Sequence, residues 1–386
     1  MKFSTKAIHI GQEPDKETGA VVPPIYLTST YQQDAPAVLR AGYDYTRSGN
    51  PNFTNLERTL AALEGGAHAT VFSSGLGAMT ALISTLKAGD TIIAADDLYG
   101  GTYRLFTEIF SKFGIKLLLA DLSHSSAVEE ALARNKPVWV IFETPTNPLL
   151  RIIDISMIAA LARKHSVRTV VDNTFATPYW QNPLSRGADV VLHSATKYLG
   201  GHSDMISGTL VTDDSGLKAQ FDFARKALGL NPSPFDCWLL SRSVKTLALR
   251  MEKHQENAIA VAQFLTARPI VKKVYYPGLT AHPAYKTAKK QMRGFGGMVS
   301  AEFNLTLEHV RRLVSSFSVF TLAESLGGVE SLVDHPASMT HASIPQEERK
   351  QIGLSHGLVR FSVGIEDKAD LLEDLERGLR RMERVL

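Results

Sequence analysis

Lys197 is the residue whose sequence neighbours best suit chemistry. It lies in the segment HSATKYLGGHSD, five residues beyond an apolar run that is typical of a strand. A lysine drawn into a crevice has a lowered amine pKa, and its amine can form a Schiff base with an aldehyde. A solvated surface lysine is the alternative, but the small residues and hydroxyls around Lys197 disfavour it. The hydroxyls of Ser194 and Thr196 could also bind a phosphate.

Asp172 and a glycine-containing turn could bind other parts of such a ligand. Asp172 ends an apolar run, and a carboxylate there needs a partner. That partner could be a protonated heterocyclic nitrogen such as a pyridinium, or Asp172 could cap a helix or form a structural salt bridge. The segment SSGLG at 73–77 is typical of a strand–turn–helix junction, whose free N–H groups suit a phosphate. It lacks the third glycine of a dinucleotide fingerprint, which leaves nicotinamide binding as a weaker alternative.

Arg360 could bind a carboxylate. It lies in LVRFSV, where alternation puts Leu358, Arg360 and Ser362 on one face and apolar residues on the other. The planar guanidinium could face a substrate carboxylate, or it could form a surface salt bridge. We predict no metal site, because several histidines lack the spacing of metal ligands. These are His193, His202, His335 and His341.

Short apolar runs alternate with helix-length amphipathic stretches and could position these residues. This alternation predicts βαβ units and a mostly parallel sheet covered on both faces. Ligands bind beyond the carboxyl ends of such strands. Polar turns follow five of the runs, so we expect one polar crevice. The predicted strands are 69–72, 91–95, 115–119, 138–142, 168–171, 189–192 and 209–211, and the turns are 73–77, 96–101, 143–148, 172–174 and 193–197.

The patterns divide the chain into an arm and two domains. Residues 1–53 are predicted to form an extended arm that lies on a neighbouring subunit. Residues 54–245 would be the large domain, which begins with a helix from the capping-box pair Thr54 and Glu57 to Gly65. Residues 246–386 would form a smaller α+β domain. Its predicted elements include strands at 271–275, 298–303 and 358–363 and helices at 236–267, 306–316 and 367–384.

Composition excludes several classes of protein. The 386 residues include 42 basic and 39 acidic ones, a net charge of +3, and 44% are hydrophobic, which argues against disordered and fibrous classes. Without a basic block, electrostatics gives no support to nucleic-acid or membrane-surface binding. The single cysteine, Cys237, rules out an intrachain disulfide and lies in an apolar setting typical of buried packing. With no signal-peptide pattern and no membrane-length apolar run, we expect a cytoplasmic protein.

Taken together, these segments resemble a known family. From about residue 5 to residue 384 the sequence is similar to the Cys/Met-metabolism family of pyridoxal-phosphate (PLP) enzymes, which have the type I aminotransferase-like fold. The resemblance therefore implies an α/β fold with PLP as cofactor. The matching motifs are YTRSGNP, SSGLGAM, DDLYGGTYR, ETPTNP, VVDNTFATPY, HSATKYLGGHSD, ESLGGVESL, PASMTHAS and LVRFSVG.

The resemblance implies roles for residues at the matching positions. Lys197 would bind the PLP aldehyde covalently and then transfer protons. Asp172 would keep the pyridine nitrogen protonated, which makes the ring an electron sink, and Tyr99 would stack on the ring. The phosphate would be bound by Gly75, Leu76, Ser194 and Thr196.

Other positions would bind substrate or complete a neighbouring site. Tyr45 and Arg47 would reach the phosphate region of the neighbouring subunit, so that sites are shared within a homo-oligomer, expected to be a tetramer built from dimers. Glu324 would lie near the distal end of the substrate. The α-carboxylate of the substrate and the cofactor edge would be held by Asn147, Ser325 and Arg360.

The resemblance also implies a reaction at the γ-carbon of a small amino acid. The segments GLGAM, PSPFDCW and FTLAESLGG favour a cystathionine γ-lyase, which converts cystathionine and water to cysteine, 2-oxobutanoate and ammonia in transsulfuration. The alternative is a cystathionine γ-synthase, which joins an O-acyl-L-homoserine to cysteine in methionine metabolism. A nicotinamide-dependent dehydrogenase is the remote alternative.

One position departs from the family pattern, and two others bear on the branch of the family. Asn52 stands where the family usually has threonine, which alters a turn but leaves the chemistry intact. Gly101 stands where methionine γ-lyases typically have cysteine, which argues against that branch. Glu324 stands where bacterial β-lyases tend to have an aromatic residue, which argues against that branch too.

Overall fold

Residues 1–50 have little regular secondary structure, but they begin with a helix that the sequence patterns did not predict. The computed structural model describes residues 1–340 and 353–384. Helix α1 (Phe3–His9) buries Ala7 and packs on the second helix of the chain. Its seven residues are too short to show a full amphipathic period. A short antiparallel pair follows, β1 (Gln33–Ala35) and β2 (Val38–Leu39).

The seven predicted strands are confirmed and form one sheet. Its order is β3-β9-β8-β7-β6-β4-β5, and all strands are parallel except β9, which is antiparallel to both neighbours. Strands β3, β4, β6, β7 and β8 therefore point the same way and end at the same edge. The strands are β3 (His68–Phe72), β4 (Thr91–Ala95), β5 (Lys116–Ala120), β6 (Trp139–Glu143), β7 (Arg168–Asp172), β8 (Val190–Ser194) and β9 (Gly208–Thr212).

Helices cover both faces of this sheet, as predicted. On one face, Ile92 and Val170 belong to an apolar cluster shared with α3 and α8; on the other, Ile93 and Val171 pack with α5 and α6. These helices and their neighbours are α2 (Pro51–Glu64), α3 (Gly75–Ile83), α4 (Gly100–Arg104), α5 (Ser125–Asn135), α6 (Ile155–Lys164), α7 (Thr177–Trp180) and α8 (Ser215–Leu228).

The predicted start of α2 at Thr54 is wrong. The helix begins at Pro51, and the side chain of its N-cap Asn50 accepts the N–H of Asn52. Glu57 is thus already inside the helix, where it forms an ion pair with Arg225 instead of closing a capping box. The predicted end is confirmed, because Gly65 caps the helix with a φ of 76°.

The second half of the chain builds a five-stranded sheet in the order β10-β11-β14-β13-β12. The three strands predicted there are confirmed, but the two-residue and three-residue strands β12 and β13 are too short to show alternation. The strands are β10 (Val271–Tyr275), β11 (Met298–Phe303), β12 (Thr321–Leu322), β13 (Leu332–Asp334) and β14 (Leu358–Ser362).

The helical stretch predicted at 236–267 is two helices. The Thr246 N–H bonds to Ser243 instead of continuing the α-helical ladder, which breaks the stretch after Val244. The division into an arm and two domains remains a prediction, with its boundary at 245 falling between these two helices. The helices of this half are α9 (Pro234–Val244), α10 (Leu247–Thr266), α11 (Tyr285–Gln291), α12 (Leu307–Val314) and α13 (Lys368–Glu383). None of the helices described could cross a bilayer.

Candidate active site

All five predicted turns meet around one cavity at the carboxyl ends of the strands. The cavity has a volume of about 380 Å³, and side chains from 324–325 and from β14 complete its wall. The structure therefore brings together the following predicted site residues: Gly75, Leu76, Tyr99, Asn147, Asp172, Ser194, Thr196, Lys197, Glu324, Ser325 and Arg360.

The amine of Lys197 points into this cavity. The residue lies just beyond β8, and its Nζ donates a hydrogen bond of 2.8 Å to Ser325 Oγ. Burial, helped by the positive charge of Arg360, lowers the pKa of the amine from 10.5 to about 8, while Glu324 acts in the opposite direction. A substantial fraction of the amine is then neutral near physiological pH, as a nucleophile toward an aldehyde requires. The surface-lysine alternative is wrong.

Asp172, the last residue of β7, lies in the cavity wall. Its Oδ1 accepts hydrogen bonds from the backbone N–H of Thr174 at 3.0 Å and from its hydroxyl at 2.5 Å. Burial raises the pKa of this carboxyl, although the Thr174 hydrogen bonds and nearby His193 oppose the rise. Asp172 caps no helix, since α7 begins at Thr177. A cationic ring nitrogen would compensate the carboxylate, so the environment suits a pyridinium.

The glycine turn after β3 forms a cradle for an anion. Ser74 is the N-cap of α3, so the N-terminus of this helix opens at Gly75. A Cβ added to Gly75 would lie 2.8 Å from Ser194 Cβ, and one added to Gly208 would lie 2.1 Å from the Ser74 carbonyl oxygen. This close approach brings the helix N-terminus beside the hydroxyls of Ser194 and Thr196 in the cavity wall. Helix N–H groups together with hydroxyls fit a phosphate.

Arg360 is only 2% exposed, so the surface salt-bridge alternative is wrong. Its Nη1 donates to Asn147 Oδ1 and its Nη2 to the Ser325 carbonyl oxygen, both at 2.9 Å. Nη2 also lies 3.4 Å from Asp334 Oδ2. Its buried Nε has no hydrogen-bond partner among the described residues. A guanidinium held this way at a cavity can bind a carboxylate.

Tyr99 forms a platform at the edge of the cavity. Its side chain is 38% exposed, and its backbone N–H donates a 2.8 Å hydrogen bond to Glu143 Oε1. The ring packs over Gly101, where an added Cβ would lie 2.5 Å from the ring. A side chain at position 101, such as a cysteine, would therefore displace the Tyr99 ring.

Sequence reasoning missed three polar residues that hold the site together. Thr174 fixes Asp172, Asp334 neighbours Arg360, and Glu143 binds the Tyr99 backbone. Glu143 and Thr174 lie in turns that the sequence predicted. Their location near the cavity could therefore be predicted, but their hydrogen-bond partners could not. Asp334 lies in β13, which is too short to carry a pattern.

Tyr45 and Arg47 do not line the cavity in this chain. Tyr45 is 44% exposed, and the Arg47 guanidinium lies 5.5 Å from the centre of its ring. Arg47 also donates to the Lys226 carbonyl oxygen at 3.1 Å. Their contribution to a neighbouring subunit's site stays a prediction.

The remaining candidate residues have local partners. The buried His193 pairs with Glu64, and His335 hydrogen-bonds to Ser338. Within the described ranges no three or more His, Cys, Asp or Glu residues form a group that could hold a metal ion. Cys237 is buried, as predicted. Of the two other histidines considered, His202 hydrogen-bonds to the Gly200 carbonyl oxygen, and His341 lies outside the described residues.

A lysine amine, a buried acid and an anion cradle around one cavity define the site of an enzyme that uses PLP. The chain belongs to the family of Cys/Met metabolism PLP-dependent enzymes, whose model matches residues 4–380. PLP is thus its cofactor, and the family excludes the nicotinamide alternative.

Relatives within the family carry three different names. A cystathionine β-lyase of Lactococcus lactis subsp. cremoris (strain MG1363) is 51% identical over 380 residues, 98% of this chain and 99% of the relative. A cystathionine γ-lyase of Dictyostelium discoideum is 47% identical over 379 residues, 98% and 97% of the two chains. A cystathionine γ-synthase of Mycobacterium leprae (strain TN) is 51% identical over 379 residues, 98% and 96% of the two chains.

The fold is also that of solved members of this family. The crystal structure of a cystathionine γ-synthase from Xanthomonas oryzae pv. oryzae, in complex with aminoacrylate and cysteine, has a TM-score of 0.97 and 46% identity. All of each chain is covered. The predicted type I aminotransferase-like α/β fold is therefore confirmed.

Proposed function

We propose that the protein is a cystathionine γ-lyase, which converts L-cystathionine and water to L-cysteine, 2-oxobutanoate and ammonia. The observation that carries this proposal is the convergence of the Lys197 amine, the Asp172 carboxyl and the Arg360 guanidinium on one cavity. The Glu324 carboxylate in the same wall favours a substrate with a second charged end. The preference for the γ-lyase rests further on GLGAM, PSPFDCW and FTLAESLGG.

The residues of the cavity fit the cofactor. When bound, PLP supplies an electron-accepting ring that stabilises negative charge on the substrate carbon beside it. Asp172 would hold the ring nitrogen, Tyr99 would cover a ring face, and Lys197 would bind the aldehyde. The N-terminus of α3 and neighbouring hydroxyls would hold the phosphate, through Gly75, Leu76, Ser194 and Thr196.

Lys197 would move the protons of the reaction. With its pKa lowered to about 8, the amine can take a proton from a substrate carbon and return it at another. Ser325 Oγ accepts a hydrogen bond of 2.8 Å from the Lys197 amine. This contact would keep the amine inside the cavity when the amine is not covalently bound to PLP. The amine would take the α-proton, return it at another carbon and then take a β-proton. The γ-carbon–sulfur bond would break, and the leaving sulfur would receive a proton from the Lys197 ammonium to give the cysteine thiol.

The two ends of cystathionine would be bound by opposite charges. Arg360, fixed by Asn147 and Ser325, would bind the α-carboxylate at the reacting end. Glu324 is solvent-exposed at the cavity, where it can attract the distal ammonium group without a desolvation cost. This arrangement would hold the γ-carbon–sulfur bond between the two contacts.

A product assay tests the proposal. The purified protein with PLP receives L-cystathionine alone, and in parallel an O-acyl-L-homoserine with L-cysteine. The proposal expects 2-oxobutanoate and cysteine in the first reaction, at a higher rate than cystathionine forms in the second. Pyruvate as the main oxo-acid would contradict it, because pyruvate comes from cleavage at the β-carbon.

A γ-synthase is the second candidate, because a relative of that name is 51% identical and the residues named above suit both reactions. In that reaction a cysteine thiol would add to the γ-carbon after the acyl group has left. Faster formation of cystathionine than of 2-oxobutanoate would favour this candidate.

We further propose that each site is completed by a neighbouring subunit in a homotetramer built from dimers. Tyr45 and Arg47 are exposed, and the same N-terminal segment carries apolar side chains that one chain leaves in water. Val21 is 78% exposed and Leu27 is 71% exposed, as expected of a surface that packs on another subunit. The Arg47 guanidinium would then reach the phosphate of the neighbour's cofactor.

A further inference from the structure

Glu143 is a cavity residue that has no task in the proposed reaction. It is the last residue of β6, is 7% exposed, and lines the cavity together with Asp172. We propose that Glu143 is a positioning residue that sets the Tyr99 platform and the Asn147 amide relative to each other. This inference rests on the proposed function, which gives Tyr99 and Asn147 their roles.

One carboxyl group connects two loops of the cavity wall. Glu143 Oε1 accepts the backbone N–H of Tyr99 at 2.8 Å, from the loop after β4. Glu143 Oε2 accepts the backbone N–H of Asn147 at 3.3 Å, from the loop after β6. The Asn147 side chain in turn accepts Arg360 Nη1 at 2.9 Å. A continuous chain of hydrogen bonds therefore runs from the ring platform to the guanidinium that would bind substrate.

The identity of the residue is informative, because an acid is costly here. Glu143 lies directly beside Asp172 in the parallel register of β6 and β7. Burial and the neighbouring carboxyl of Asp172 raise the pKa of Glu143, whereas the hydrogen bonds from the Tyr99 and Asn147 backbone N–H groups oppose the rise and favour the ionised form, in which both oxygens accept. Glutamine would avoid this cost, but it has one acceptor oxygen where the two backbone N–H groups need two. The carboxyl group is therefore the side chain that can hold both loops.

Two substitutions separate the two contacts. Glu143→Gln keeps an acceptor for one N–H, and the shorter Tyr99 contact is the one we expect it to keep. Glu143→Leu removes both contacts at similar volume. The matched control is Asp97→Asn, because Asp97 is also a buried acid in the loop after β4 but does not line the cavity, and an asparagine oxygen can still accept the hydrogen bond that the Thr146 hydroxyl donates to Asp97.

The first experiment uses the PLP-loaded protein and measures KM and kcat for L-cystathionine and the circular dichroism of bound PLP. Loss of one hydrogen bond at Asn147 should raise KM about tenfold in Glu143→Gln, while the dichroism and kcat stay near those of the unmodified protein. Glu143→Leu should raise KM as well and also change the dichroism, because the ring platform is released. Asp97→Asn should change neither. An unchanged KM in Glu143→Gln would overturn the inference.

The second experiment uses the PLP-free protein and measures hydrogen exchange of the Tyr99 and Asn147 N–H groups. We expect faster exchange at Asn147 alone in Glu143→Gln and at both groups in Glu143→Leu. Unchanged exchange in both variants would contradict the inference even if the protein does not act on cystathionine. If the unmodified protein shows no cystathionine turnover but exchange responds as expected, the proposed function fails and the link between the loops stands. If Glu143→Leu does not fold, Glu143→Gln decides alone.

Discussion

The crevice at the strand ends and the N-terminal arm would contribute to one active site, but most of the crevice residues are buried or half-buried whereas the arm residues are exposed. Asp172 and Arg360 are fixed by their places in strands β7 and β14 and by two hydrogen bonds each. Tyr45 and Arg47 lie exposed on the N-terminal segment and do not line the cavity of their own chain. We infer that one chain preorganises the acid–base chemistry, whereas cofactor retention is completed only when subunits meet. Substitutions in the crevice should therefore have larger effects than substitutions in the arm.

Substitution of Lys197 should have the largest effect on turnover, because both the covalent bond to PLP and the proton transfers would depend on its amine. Lys197→Ala should lower kcat for cystathionine by at least about a thousandfold. The measurement is 2-oxobutanoate release at saturating substrate and PLP. Lys253→Ala serves as control, because this lysine pairs with Glu256 on the surface of α10. Turnover of Lys197→Ala at the rate of this control would refute the assignment.

The same lysine should reduce the stability of the PLP-free protein. Since burial lowers its pKa from 10.5 to about 8, the folded state binds this proton less tightly than the unfolded state does. The cost is fully present below pH 8, corresponds to about 3 kcal/mol, and disappears as the pH rises from about 8 to 10.5.

Lys197→Met should therefore raise the free energy of unfolding at pH 7 by up to about 3 kcal/mol. The gain should shrink as the pH approaches 10.5. Denaturant unfolding of the PLP-free protein at several pH values checks this. A variant that is less stable than the unmodified protein at pH 7 would show that the amine is not desolvated.

Substitution of Asp172, the acid that would bind the ring nitrogen, should have the next largest effect on activity. Asp172→Ala should weaken PLP binding and lower kcat, each by about a hundredfold, because a charge-assisted hydrogen bond to the ring would be lost. Asp172→Asn, which keeps the shape and the acceptor for Thr174, separates charge from packing. PLP binding by fluorescence titration and the rate of 2-oxobutanoate release are the measurements. Near-normal values in Asp172→Ala would remove its role.

The smallest effect is expected in the arm. Arg47→Ala should weaken PLP binding about tenfold and leave the stability of the chain nearly unchanged, because Arg47 is exposed and its guanidinium donates a hydrogen bond to the Lys226 carbonyl oxygen. Arg40→Ala is the control, since Arg40 is an exposed arm residue that pairs with Asp34. Equal PLP affinity in the two variants would argue against a shared site.

Sequence patterns predicted the residues of the crevice better than the short elements packed around it. Five strands of the large sheet are mostly buried runs followed by polar turns, so the rule for strand ends could bring Asp172 and Lys197 together. Alternation in β14 correctly put Arg360 on the face opposite the apolar residues. It did not predict that Arg360 is buried, because both faces of this strand are covered. No comparable pattern marks α1 or β13, which are too short for a period.

Other features depend on contacts distant in the sequence. Asn50, not Thr54, caps α2, and the Asn50 side chain is also held by distant residues, because its amide donates to the Tyr26 carbonyl oxygen and to the Tyr31 hydroxyl. Glu143 binds the backbone of Tyr99, which is 44 residues away, and no local signal predicts such a bond. The arm's place on a neighbouring subunit was predicted from resemblance and stays a prediction.

The most direct test of the central claim is to find which residue binds PLP covalently. The PLP-loaded protein is treated with borohydride, which reduces an imine to a stable amine, and its peptides are then analysed by mass spectrometry. The account predicts a single phosphopyridoxyl group on Lys197. Labelling of a different lysine, or no labelled peptide in a protein that turns over cystathionine, would contradict it.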